Sequence, residues 1–217
     1  MKGHLKNLLN IAIVFSLSMA LGFATKNQIV INGIVLVFII HWLLYIPANI
    51  FKTEKFFDLT GSLSYISVIS YILYSKVQDF ESGFGEVIVS LAIIIWSARL
   101  GTFLFLRIKK AGEDKRFREL KKSWSKFLVA WSTSGMWVTI CSACAMTAIA
   151  SENIIELNII FFIGLFMFVF GFSIEIIADY QKTKFRSISA NKDKFISSGL
   201  WSKSRHPNYV GEIILWL

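Results

Sequence analysis

Long apolar runs separated by short polar clusters dominate this chain. Six runs, at residues 8–24, 29–46, 60–74, 84–106, 127–150 and 154–177, have the character of membrane-crossing helices. A bilayer core takes roughly twenty helical residues, and a helix satisfies its own backbone in lipid. The third run is short and carries Ser62, Ser64, Ser67 and Ser70. A seventh apolar segment begins near Tyr209 and stops at Leu217, too few residues to span. The pattern predicts an all-α, polytopic membrane helical bundle of six spans plus a truncated seventh. Residues 1–217 then form a single integral membrane domain. The end at Leu217 reads as an incomplete C-terminus or as a segment supported by a partner. The start, Met1-Lys2-Gly3-His4-Leu5-Lys6 before an apolar run, resembles a signal peptide, but several spans follow, so it reads as an uncleaved first span.

The charges between the runs orient the bundle. With the N-terminus cytoplasmic and six spans following, 20 of the 23 Lys and Arg residues fall on the cytoplasmic side. Nine lie between Arg107 and Lys126, and seven between Lys182 and Arg205. Lys26 and Lys76 fall outside, and Arg99 lies within a span. This asymmetry matches the positive-inside rule. It accounts for the net charge of +9 without nucleic acid, because no basic soluble domain exists to bind it. Only 17% of residues are charged and 55% are hydrophobic, well away from soluble composition. The loop RIKKAGEDKRFRELKKSWSK at 107–126 reads either as a solvated basic loop touching anionic lipid or as a cofactor-binding lid. After Gly112 it has helical spacing, with Glu119 facing Arg116 and Lys122.

Cys141 and Cys144 have a Cys-x-x-Cys spacing but lie among Ser142, Ala143, Ala145 and Ala148 in an apolar run. Small residues there favour close helix packing over redox chemistry. His4, His41 and His206 are widely separated, so no metal site is expected. Phosphate-loop, Rossmann and nucleophile-elbow motifs are absent.

Two polar constellations remain. Around the end of the sixth run, Glu175 and Asp179 are four residues apart and share a helix face, as do Lys182 and Arg186. Snorkelling at an interfacial helix end explains the lysines, but a carboxylate at Glu175 within an apolar run needs a partner. The second constellation is Arg205-His206-Pro207-Asn208-Tyr209-Val210-Gly211-Glu212. Arg205 and His206 suit phosphate or ribose oxygens. Pro207 fits the first turn of a helix starting near Asn208, whose free N–H groups would face an anion. Asn208 and Glu212 then share a face, and Gly211 permits close approach. A basic anchor before a span is the simpler alternative. Two lesser features are Arg99, which either snorkels or pairs with an acid such as Glu175, and Asp58, which reads equally as a helix cap or a catalytic acid.

Four pieces together carry a family resemblance: FDLTGS at 57–62, ARLGTFLFLRIKKAGEDKRF at 98–117, GFSIEIIADYQKTKF at 171–185 and SGLWSKSRHPNYVGE at 198–212. In this order and spacing, over residues 57–217, the chain resembles the steroid 5-alpha-reductase-like membrane reductases, in their bacterial branch. The resemblance implies an oxidoreductase acting on a carbon–carbon double bond in a lipid-like or steroid-like substrate, with NADPH as cofactor. It implies cofactor contacts from Glu175, Asp179, Arg186, Arg205, His206, Asn208, Tyr209 and Glu212, and catalytic roles for Asp58 and Tyr209. The steroid enzymes' tyrosine partner has no match here. Membrane lipids are the other expected partner, and the site would face the cytoplasm from a bacterial inner membrane. The Arg-His-Pro-x-Tyr-x-Gly pattern is also similar to isoprenylcysteine carboxyl methyltransferases and related phospholipid enzymes, which implies S-adenosylmethionine instead. An inactive truncated relative is the third reading.

Overall fold

The computed structural model describes residues 2–79, 83–191 and 194–217, so Lys192 of the second basic segment lies outside them. Among the described residues the fold is all-α, with no strand. The helices are α1 (Lys2–Ala24), α2 (Gln28–Ile50), α3 (Phe57–Asp79), α4 (Phe84–Ala111), α5 (Trp124–Ile149), α6 (Ile159–Ser187) and α7 (Pro207–Trp216). Five of them, α1, α2, α4, α5 and α6, are long and apolar enough to cross a membrane. This marks an integral membrane protein.

The third expected span is the exception. With 23 residues α3 has the length, but it does not reach the hydropathy of the five. Two of its serines face protein: Ser62 and Ser64 are buried, and a side chain at Gly101 of α4 would collide with Ser62. A helix packed between α2, α4 and α5 needs no lipid-facing apolar surface around its circumference.

Local chemistry sets the helix ends. The Asn27 carbonyl accepts from the N–H groups of Ile29 (2.9 Å) and Val30 (3.4 Å), while its amide donates to the Ala150 carbonyl at 2.8 Å. One side chain thus starts α2 and ties it to the end of α5. Asn158 caps α6 in the same way, at 3.1 Å from both Ile160 and Phe161 N–H. Helix α6 therefore begins later than the apolar run at 154–177, and it continues past that run to Ser187. The α4 helix stops at Gly112, whose φ of 85° is left-handed.

The chain divides into two compact units, residues 1–155 and 156–217. In the first, α2, α3 and α5 pack on one another, with α1 against α5 and α4 against α3. At one end, the buried Lys76 ammonium donates to the carbonyls of Ser151 (2.5 Å) and Glu152 (3.2 Å). Glu86, also buried, accepts from the N–H groups of Gly83 (3.0 Å) and Ile155 (2.9 Å). The stretch after α5 is thus held by a buried cation and a buried anion.

At the other end lies an aromatic cluster of Tyr45, Phe117, Phe127 and Trp131, with Phe56 and Phe57 against it. Phe117 belongs to the α4–α5 loop, so this basic loop is anchored in the core. It forms only a short 3-10 turn, Lys115–Phe117, where sequence spacing implied a helix. Glu119 does pair with Lys122 (2.6 Å), but Arg116 turns to Asp114 (2.5 Å) instead of Glu119. Asp114 caps the turn by accepting from the Arg116 N–H at 2.9 Å, which leaves Arg116 folded back on its own cap. The second unit is α6 with α7 folded back antiparallel along it.

Candidate functional site

The polar constellations of the second unit come together through two glycines. A Cβ at Gly211 would stand 2.5 Å from the Gly171 carbonyl oxygen and 2.7 Å from the Glu175 nitrogen. A Cβ at Gly171 would stand 2.5 Å from the Gly211 carbonyl and 2.6 Å from the Leu215 nitrogen. These contacts are backbone to backbone, so only glycine allows α6 and α7 to approach this closely. The approach places Glu175 beside Gly211. One turn further along α6, the Asp179 carboxyl lies near enough to Glu212 for the two charges to interact.

Glu175 and Asp179 are buried, at 3% and 6% exposure, in a helix whose other long side chains mostly face outward. Glu212 is half-buried. Asn208, one turn before Glu212, holds its side-chain oxygen out of solvent without a hydrogen-bond donor. The cluster is therefore rich in acceptors, and its orphan oxygen calls for a donor from elsewhere.

The α7 start supplies the opposite character. Pro207 occupies the first turn, as its sequence position predicts, and His206 precedes it without a side-chain cap on the helix N–H groups. Arg205 and His206 are exposed beside it. The His206 ring stacks on Tyr209 at 5.2 Å between centroids and 18° between planes. Arg186 is exposed in the last turn of α6.

The turn Gly199–Ser202 docks this region onto α6, which sequence reasoning did not anticipate. The Leu200 N–H donates to the Gln181 side-chain oxygen (3.0 Å), and the Trp201 indole donates to the Ala178 carbonyl (3.0 Å). Lys182 lies 4.5 Å above the Trp201 ring. Gly199 has a φ of 62° and abuts Gln181, so both its conformation and its lack of a side chain are used. The sequence signal was present in the shared Gly-Leu-Trp and Ala-Asp-Tyr-Gln-Lys pieces, but their mutual contact was not.

Asp58 sits in the first unit, on the first turn of α3. The charges acting on it come from Arg107 at the end of α4, and from Arg116 and Asp114 in the loop that follows. The Arg99 guanidinium lies 5.0 Å over the Phe103 ring, one turn along the same helix. In the loop, the Arg116 guanidinium bonded to Asp114 holds that carboxyl below its ordinary range.

A second polar group was missed because its members are distant in sequence. His41 is fully buried where α2, α3 and α5 meet. Its Nδ1 lies 2.9 Å from the Val37 carbonyl and 3.2 Å from the Ser64 hydroxyl, and its Nε2 lies 3.2 Å from the Ser134 hydroxyl. A carbonyl only accepts, so Nδ1 carries the proton and Nε2 accepts from Ser134. Both ring nitrogens are thus used to join three helices. No group of three or more His, Cys, Asp or Glu among the described residues is placed to hold a metal ion.

A family model described as a protein of unknown function, DUF1295, matches residues 44–217. Neither the curated proteins nor the solved structures give a match. The chain belongs to the DUF1295 family, which lies in the steroid 5-alpha-reductase-like group.

Proposed function

We propose that this DUF1295 member is an NADPH-dependent membrane reductase of a carbon–carbon double bond in a lipid-like substrate. The observation that carries the reading is the two-sided chemistry of the α6–α7 pair. Glu175, Asp179, Glu212 and the orphan Asn208 oxygen offer acceptors. The uncapped α7 start with Arg205 and His206, and Arg186 in the last turn of α6, offer donors and positive charge. A dinucleotide phosphate carries both complements: ribose hydroxyls and a carboxamide N–H for the acceptors, and phosphates for the donors.

The residues fit that group without further additions. Asn208, Glu175 and Asp179 would orient its donor-bearing end, and Arg205, Arg186 and the α7 N–H groups would hold its phosphates. Bound NADPH would supply hydride. Asp58 is the candidate group to hold a proton for the substrate oxygen, and Tyr209, stacked on His206, the candidate to close over the cofactor. The positive-inside distribution supports placing this chemistry at the cytoplasmic face of a bacterial inner membrane.

One observation favours a second reading. The like charges of Asp179 and Glu212, close enough to influence each other, would also suit the ammonium and sulfonium of S-adenosylmethionine. The deciding experiment is thermal unfolding of the detergent-purified chain with each compound. At a hundred times its Kd, a ligand binding only the folded state adds about 2.7 kcal/mol, a shift of several degrees. Stabilisation by NADPH alone supports the reductase, and stabilisation by S-adenosylmethionine alone replaces it with methyl transfer. No response to either removes both and leaves an inactive relative. Asp58→Asn should lose turnover yet keep the NADPH shift.

A further inference from the structure

Between the end of α2 and the start of α3 lies an open groove of about 460 Å³, lined by Leu44, Pro47, Phe51, Phe56, Leu59, Thr60 and Leu63. Its one polar residue, Thr60, spends its hydroxyl on the Phe56 carbonyl at 2.8 Å, so the lining offers no free hydrogen-bonding group. The groove opens along a face already exposed and apolar, where Phe51 is 75% and Leu63 45% exposed. Because α2 has the length and composition of a membrane span, that face meets lipid.

The loop joining the two walls, Phe51-Lys52-Thr53-Glu54-Lys55-Phe56, separates its charges by direction. Glu54 is buried and turned inward, accepting from the Asp114 N–H at 2.7 Å and from the Lys121 ammonium. Lys52 and Lys55 are exposed, each adjacent in sequence to a phenylalanine of the groove wall. Among the described residues the Lys52 ammonium donates to the neutral Asn49 side chain, at 2.9 Å. With the acid withdrawn, the loop that joins the two walls of the apolar groove is left with two exposed cations.

We infer that this corner is a binding site for one phospholipid of net negative headgroup, with an acyl chain in the groove and its phosphate on Lys52 and Lys55. Apolar walls take the chain, and paired lysines at a membrane surface select anionic over zwitterionic headgroups. The occupant is a resident lipid and not the substrate, because nothing in the lining can do chemistry. Asp58, the nearest carboxyl in sequence, is under the influence of Arg107 on α4 and is absent from the groove wall. The site is independent of the proposed reductase activity.

The test is native mass spectrometry of the full chain, purified in detergent and equilibrated with equal phosphatidylglycerol and phosphatidylcholine of identical chains. Phosphatidylglycerol should be retained about tenfold over phosphatidylcholine. Lys52→Gln with Lys55→Gln should bring the ratio to near parity, and Lys52→Arg with Lys55→Arg should preserve it. Lys109→Gln with Lys110→Gln, on the α4 end, should leave the ratio unchanged. Leu63→Trp, which fills the groove, should lower retention of both lipids. Equal retention by the unaltered protein overturns the inference, as does a preference that survives Lys52→Gln with Lys55→Gln. A folded Leu63→Trp variant that loses turnover but keeps its lipid assigns the groove to substrate and also overturns it. Should Leu63→Trp fail to fold, the exposed lysine pair still decides. The NADPH thermal shift should be unchanged in the lysine variants, so failure of either proposal is seen separately.

Discussion

Glu54 and Glu212 are the same residue type at two corners of the molecule, the α2–α3 loop and the α7 helix, and their surroundings are opposite. Glu54 is buried with both oxygens engaged, one by a backbone N–H and one by Lys121, and it fastens the α2–α3 loop to the α4–α5 loop. Glu212 is half-buried within reach of the like charge of Asp179, one helical turn from an Asn208 oxygen that has no donor. A satisfied buried carboxylate holds a fold together, whereas a buried acceptor without a donor, such as the Asn208 oxygen, costs stability unless a ligand supplies one. The first corner is architecture, and the second has the makings of a site.

The contrast is broken most severely at the glycine contact. Gly211→Val drives a side chain into the Gly171 carbonyl and the Glu175 nitrogen, backbone atoms that cannot yield locally. It should cost about 3 kcal/mol and abolish any NADPH-dependent rise in unfolding temperature. Next comes Glu54→Ala, which leaves Lys121 and the Asp114 N–H without their acceptor. Thermal unfolding should show a loss of about 2–3 kcal/mol while the NADPH increment persists. Asn208→Ala should do the reverse, moving the unliganded stability by less than about 1 kcal/mol because its oxygen has no bond to lose, yet removing most of the NADPH increment. If Glu54→Ala erased the increment and Asn208→Ala spared it, the assignment of the two corners would be inverted.

The smallest effect is expected at the exposed loop pair. Asp114→Asn should cost less than about 0.5 kcal/mol at pH 7. Since Arg116 depresses the Asp114 carboxyl, that contribution exists above the unfolded value of about 3.9 and fades as pH falls through the lower folded value. Melts at pH 7 and near pH 3 should therefore show a smaller difference between the two proteins at the lower pH.

Much of this molecule is readable from its residues in order. Apolar runs mark the long helices, Pro207 marks the start of α7, and the i, i+4 spacing of Glu175 and Asp179 puts both on one face of a helix that does continue past the apolar run to Ser187. The reading failed where environment overrode local pattern. The 107–126 loop has helical charge spacing, yet burial of Phe117 pulls it into a 3-10 turn against the core. Two of the serines that made the third run look poor for lipid, Ser62 and Ser64, are instead its contacts with neighbouring helices. The His41 group joins residues up to 93 positions apart, and no spacing rule reaches that far.

By itself the sequence determined which stretches are helical and apolar and which chemistries are available, because backbone hydrogen bonding and hydrophobicity act over a few residues. Tertiary structure alone decided which polar groups are satisfied, as Glu54 is, and which are left without a partner, as the Asn208 oxygen is. That outcome depends on distant partners: Gly171 admitting Gly211, and Lys121 reaching Glu54. Electrostatics and packing sum over neighbours in space, and neighbours in space are set only once the helices have docked.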